Sequence, residues 1–149
     1  MPNVALRPLA VLLLTLSGSL GALVLAGPAE AAATTTCSAL SGKVESPTAS
    51  LTGCTSSTTG GSGTLSASHT KNVDTVKWEN GGSTNFRLKG NGGSGTQCPP
   101  GSLEIMLKGT VTKSTGAAAS IEGAVSADIC LKGTKKGKVS LLAGTVFTF

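Results

Sequence analysis

Beyond its first thirty or so residues the chain alternates. In "LEIMLKGTVTK" the residues Leu103, Ile105, Leu107, Gly109 and Val111 fall on one face, and in "SIEGAVSADICL" so do Ile121, Gly123, Val125, Ala127, Ile129 and Leu131. A period of two marks half-buried β-strands, and no stretch here sustains the 3.6-residue period of an amphipathic helix. Leu40, Gly42 and Val44 repeat the pattern in "CSALSGKVESPTASLTGC". With "SGTLSAS" and the closing "KVSLLAGTVFTF" the chain offers eight or nine short strands separated by Ser, Thr and Gly clusters. That count predicts one all-β domain, a small antiparallel β-sandwich or a closed β-barrel. The segments "TSSTTGGSG" and "KGNGGSGTQCPPG" read as surface loops.

Registers follow from side-chain parity. A two-residue turn at Glu45 and Ser46 sets Leu40 opposite Leu51 and, in the same register, Cys37 opposite Cys54. Opposed residues of antiparallel strands lie about 4.5 to 5.5 Å apart at Cα, within the span of a disulfide. Cys37–Cys54 is therefore the expected first bridge, which leaves Cys98–Cys130. Pairing Val111 with Ile121 puts Gly109 opposite Gly123, Leu103 opposite Ile129 and Cys130 opposite Ser102. Cys98 then reaches Cys130 if "PPG" turns the chain back, and the facing glycines predict a bulge or a close approach by another segment. In "VKWENGGSTNFRLKG" the same test asks for an odd-length connection such as Asn80, Gly81 and Gly82. Trp78 and Phe86 then share a face, with Lys77, Glu79 and Arg87 on the other. With only Phe147 and Phe149 as further aromatics, Trp78 and Phe86 are expected in the core rather than on a sugar-stacking platform.

The N-terminus changes the setting. Arg7 precedes the apolar run "LAVLLLTLSGSLGALVLAG", followed by Pro28 and "AEAAA". This order of charge, apolar segment and Ala-x-Ala site predicts a signal peptide over residues 1–31, cleaved after Ala31. Ser17, Gly18, Ser19 and Gly21 interrupt the run too often for a transmembrane anchor, and the "TTT" before Cys37 is not a lipid-attachment site. Residues 32–149 are then a secreted, extracellular domain without a transmembrane segment, where an even number of cysteines reads as two disulfides.

The leader holds one basic and one acidic residue, Arg7 and Glu30, so the net charge of +5 belongs to the domain. Such a charge favours anionic partners, an anionic cell-envelope polymer or a protein. Nucleic acid is not expected of an exported chain with no tyrosine, because single-strand binding rests on stacked aromatics. Lys132, Lys135, Lys136 and Lys138 crowd into "LKGTKKGK" and are the candidate anion-binding residues. Lysines at a hairpin tip also serve to keep a sheet soluble. His69 is the sole histidine; with Asp74 or Asp128 and a serine it makes no recognisable nucleophile signature. It reads as an exposed strand-end residue. No catalytic, cofactor-binding or metal-ligating constellation is predicted, so the chain reads as a non-catalytic binding or structural module.

The mature chain resembles a family of small exported actinobacterial two-disulfide β proteins. The likeness runs from "CSALSGKV" and "LTGC" through "VKWENGGSTNF" and "CPPGSLEIMLKGTV" to "GAVSADIC" and "AGTVFTF", and it implies an exported β domain without bringing an activity. "QCPPG" and "VFTF" are also similar to secreted subtilisin inhibitors, which implies an alternative role as a serine protease inhibitor acting through the Cys98–Gly101 loop. Pro100 occupies the position where that family carries its specificity side chain.

Overall fold

The computed structural model describes residues 34–68, 72–93, 95–133 and 137–149. The expected signal peptide at residues 1–31, His69, Lys135 and Lys136 lie outside the described residues. Nine strands follow in chain order: β1 (Thr36–Lys43), β2 (Thr48–Cys54), β3 (Ser62–Ser66), β4 (Asp74–Trp78), β5 (Ser83–Gly92), β6 (Ser102–Thr115), β7 (Ala124–Lys132), β8 (Lys138–Leu141) and β9 (Phe147–Thr148). From β1 to β8 each strand is antiparallel to its chain neighbours, and β8 pairs back onto β1 through Ser41–Ser140, Gly42–Val139 and Lys43–Lys138. Eight strands thus close into a barrel, which decides between the two architectures that the alternation allowed. The short β9 lies further along the same gap, where Thr148 pairs with Thr36 of β1 and Ser126 of β7.

The first hairpin has the expected register, with Leu40 facing Leu51 and Cys37 facing Cys54. Both disulfides, Cys37–Cys54 and Cys98–Cys130, are present. The Trp78 hairpin keeps its expected parity, but its loop starts one residue earlier. Trp78 N–H donates to Gly82 C=O, so Glu79, Asn80 and Gly81 form the odd connection. Trp78 and Phe86 are buried, whereas Lys77, Glu79 and Arg87 are exposed.

The β6–β7 pairing differs from expectation by two residues. Leu103 faces Leu131, Gly109 faces Val125 and Cys130 faces Glu104. A slip of two preserves every side chain's face, so Ile105, Leu107, Val111, Val125, Ala127, Ile129 and Leu131 face the core as expected although their partners differ, whereas Leu103, at the start of β6, is exposed. The connection contains a 3₁₀ turn, Gly116–Ala118, and Ile121 N–H donates to Ala118 C=O. Ile121 therefore leaves the strand and packs with Ala118 into the barrel end, both buried. Gly109 meets the β5 backbone at Arg87 and Leu88, not Gly123. The expected loop at 89–101 is also shorter, because β5 continues to Gly92.

The core is densest around four rings. Phe86 meets Phe149 and Phe147 edge-on at 5.5 and 6.2 Å, Phe149 stacks on Phe147 at 4.9 Å, and Trp78 meets Phe149 at 5.2 Å. Gly63 lies opposite Trp78 across β3–β4, and a side chain there would strike the indole. The indole Nε1–H donates to Thr84 Oγ1 at 2.9 Å, a buried bond. Replacing Thr84 with Val removes the acceptor and leaves a buried donor unpaired, which costs about 1–3 kcal/mol. Urea unfolding followed by Trp78 fluorescence should show that loss for Thr84→Val and its recovery in Thr84→Ser. Equal midpoints for wild type and Thr84→Val would mean that the bond carries no stability.

Candidate functional site

The two ends of the barrel are finished differently. At one end β1 starts, β2 ends, and the β2–β3, β4–β5 and β6–β7 connections gather. Thr59, Trp78, Ala118, Ile121 and Phe149 are all buried there. Gly82 and Gly116, both with positive φ, let two of these loops touch backbone to backbone; a Cβ on Gly116 would lie 2.7 Å from Gly82 Cα. This end is plugged.

The opposite end is reached by the β1–β2, β3–β4, β5–β6 and β7–β8 connections. It opens onto a recess of about 320 Å³. Leu40 of β1, Ala49 of β2, Leu65 of β3, Leu107 of β6, Ile129 and Leu131 of β7, and Val139 of β8 form its wall, with Phe147 among the lining residues and Val44, Pro47 and Ala67 at the rim. These residues belong to the inward face by the same alternation that builds the core. The difference from the plugged end is burial. Ala49, Leu65, Leu107, Leu131 and Val139 pack against the core but are only partly buried, whereas Trp78, Ala118, Ile121 and Phe149 are buried. A ring of half-covered aliphatic side chains around an opening is the kind of concave apolar surface that takes up apolar ligand groups.

A second recess, about 410 Å³, lies on the outer surface next to the mouth. Lys43, Lys132, Lys138, Ser102, Pro99 and Cys130 are among its lining residues. Lys43 of β1 lies opposite Lys138 of β8, and Lys138 lies opposite Lys132 of β7. Three exposed lysines thus stand in a row across three adjacent strands. Of the four lysines singled out in the sequence, Lys132 and Lys138 belong to this row. Lys43 was missed because its place depends on the β8–β1 closure, a pairing between chain segments almost a hundred residues apart. The mouth residues were legible as apolar strand positions, but not as members of one opening.

The Cys98–Gly101 loop forms a tight turn. Ser102 N–H donates to Pro99 C=O at 3.0 Å, and Gly101 has φ +78°, so Pro100 and Gly101 occupy the central positions of a type II turn. Pro99 and Pro100 are exposed, and the loop is tied to β7 by Cys98–Cys130. Asp74 and Asp128 lie on different strands, and among the described residues no three His, Cys, Asp or Glu side chains gather to hold a metal ion. Among the same residues no helix is long and apolar enough to cross a membrane. Comparisons with protein-family models, with curated proteins and with solved structures returned no match.

Proposed function

We propose that this protein is an exported, non-catalytic binding module that takes an apolar ligand group into the open mouth of its barrel. The observation that carries the reading is the asymmetry of the barrel: aromatic and aliphatic side chains fill one end, while partly buried aliphatic side chains surround a recess at the other. Eight strands give an interior that either fills with side chains or leaves room for one small ligand, and this barrel does each at one end. Two disulfides in a small β domain suit an oxidising compartment, and the leader-like N-terminus supports export.

An uncharged fluorophore that brightens in apolar surroundings, N-phenylnaphthylamine, tests the reading directly. The protein should brighten it saturably with a stoichiometry near one. Ala67 sits exposed on the rim, so Ala67→Trp should block entry without disturbing the core and weaken binding about tenfold or more, that is by about 1.4 kcal/mol. An absence of saturable brightening, or binding that ignores Ala67→Trp, would rule out the mouth as the site.

A further inference from the structure

The lysine row calls for an explanation that solubility does not supply. Lysines protect sheets at exposed edges, but a closed barrel has no edge, and β8 is paired on both sides, with β7 and with β1. Directly opposed like charges across strands are destabilising, yet Lys43, Lys138 and Lys132 are aligned in this way. The outer recess that they line also contains Ser102, whose Oγ is buried without a hydrogen-bond partner among the described residues. Most informative is what the two recesses share: Leu40, Lys43 and Val139 line both. The apolar mouth and the basic outer recess therefore meet at the β1–β8 seam.

We propose that the ligand is a single-chain amphiphile with an anionic head group, its chain in the mouth and its head on Lys43, Lys138 and Lys132. The proposal rests on the binding function given above and adds the ligand's chemical class. The mouth has room for on the order of ten water-sized groups at about 30 Å³ each, which matches a medium-length acyl chain. The head group would supply the negative charge that relieves the repulsion along the row. A carboxylate and a phosphate monoester share this chemistry.

Competition against N-phenylnaphthylamine separates the possibilities, using decanoate, decyl phosphate and uncharged decanol on the mature protein. Both anions should displace the fluorophore at concentrations about tenfold below decanol. In the double variant Lys132→Gln, Lys138→Gln, which spares Lys43 because it also lines the mouth, that advantage should fall severalfold while decanol competes as before, and the retained fluorophore binding shows that the variant is folded. The relative strengths of decanoate and decyl phosphate identify the preferred head. Equal competition by charged and uncharged chains, or an anion advantage that survives undiminished in the variant, overturns the proposal while leaving the mouth as an apolar site. Inorganic phosphate should leave the fluorophore in place but cancel the advantage of the charged chains over decanol; an advantage undiminished by saturating phosphate would also overturn the proposal, because the lysines would then not hold the head group. Failure of the fluorophore itself to bind is a different result and counts against the mouth.

Discussion

Reducing both disulfides should unfold the protein at ambient temperature or leave it barely stable. Cys37–Cys54 closes a segment with a sequence separation of 17 and Cys98–Cys130 one of 32. In the chain-entropy account such loops contribute about 3 and about 4 kcal/mol through the unfolded state. Their sum, about 7 kcal/mol, compares with a total stability of about 5–15 kcal/mol for a domain. Topology sharpens the expectation. Cys37–Cys54 locks the β1–β2 hairpin, and β1 is the strand on which β8 and β9 must dock to close the barrel. Cys98–Cys130 fastens the β5–β6 connection to β7 beside the lysine row. Thermal melts with and without reductant, followed by circular dichroism, should differ by about 25 °C or more. Melting temperatures that agree within a few degrees would show that the barrel is held by its core alone. The paired variant Cys98→Ser, Cys130→Ser should fall between these limits, and its fluorophore binding would weaken if the tethered loop shapes the mouth.

Local features of this fold were legible in the sequence, and long-range ones were not. Alternation named the inward faces of β6 and β7 because a strand's period is a property of the strand itself. The β1–β2 register was readable because one short turn had to satisfy an apolar pair and a disulfide together. The β6–β7 register lacked such a double constraint. β6 runs on to Thr115 and, after the 3₁₀ turn at Gly116–Ala118, β7 begins only at Ala124, so Ile121 and Gly123 leave the strand that alternation gives them and the pairing moves by two.

Barrel closure was less legible still, and with it the site. The β1–β8 contact involves only three residue pairs, with nothing in either segment to announce its partner. The mouth and the lysine row are both products of that closure. Lys43 joins the row only through its pairing with Lys138 across that closure. His69, the sole histidine, lies outside the described residues.

The two ends of the barrel make a final prediction separable into stability and binding. Phe86 is fully buried and touches both Phe147 and Phe149. Truncating it to Ala removes a ring from a closely packed aromatic group and should cost about 3–5 kcal/mol, the usual range for burying a cavity of that size. Phe86 does not line the mouth, whereas its neighbour Phe147 does. Phe86→Ala should therefore lower the urea midpoint steeply while the fraction that remains folded binds N-phenylnaphthylamine with unchanged affinity. Ala67→Trp should do the reverse, weakening binding with little change in the midpoint, because it adds a side chain at an exposed rim. If Phe86→Ala instead tightens binding or admits a second fluorophore, the new cavity has joined the mouth and Phe147 is a movable floor. If it costs less than about 1 kcal/mol, the aromatic group is not what holds the plugged end together. The pair of variants thus tests whether one end of this barrel serves stability and the other serves the ligand.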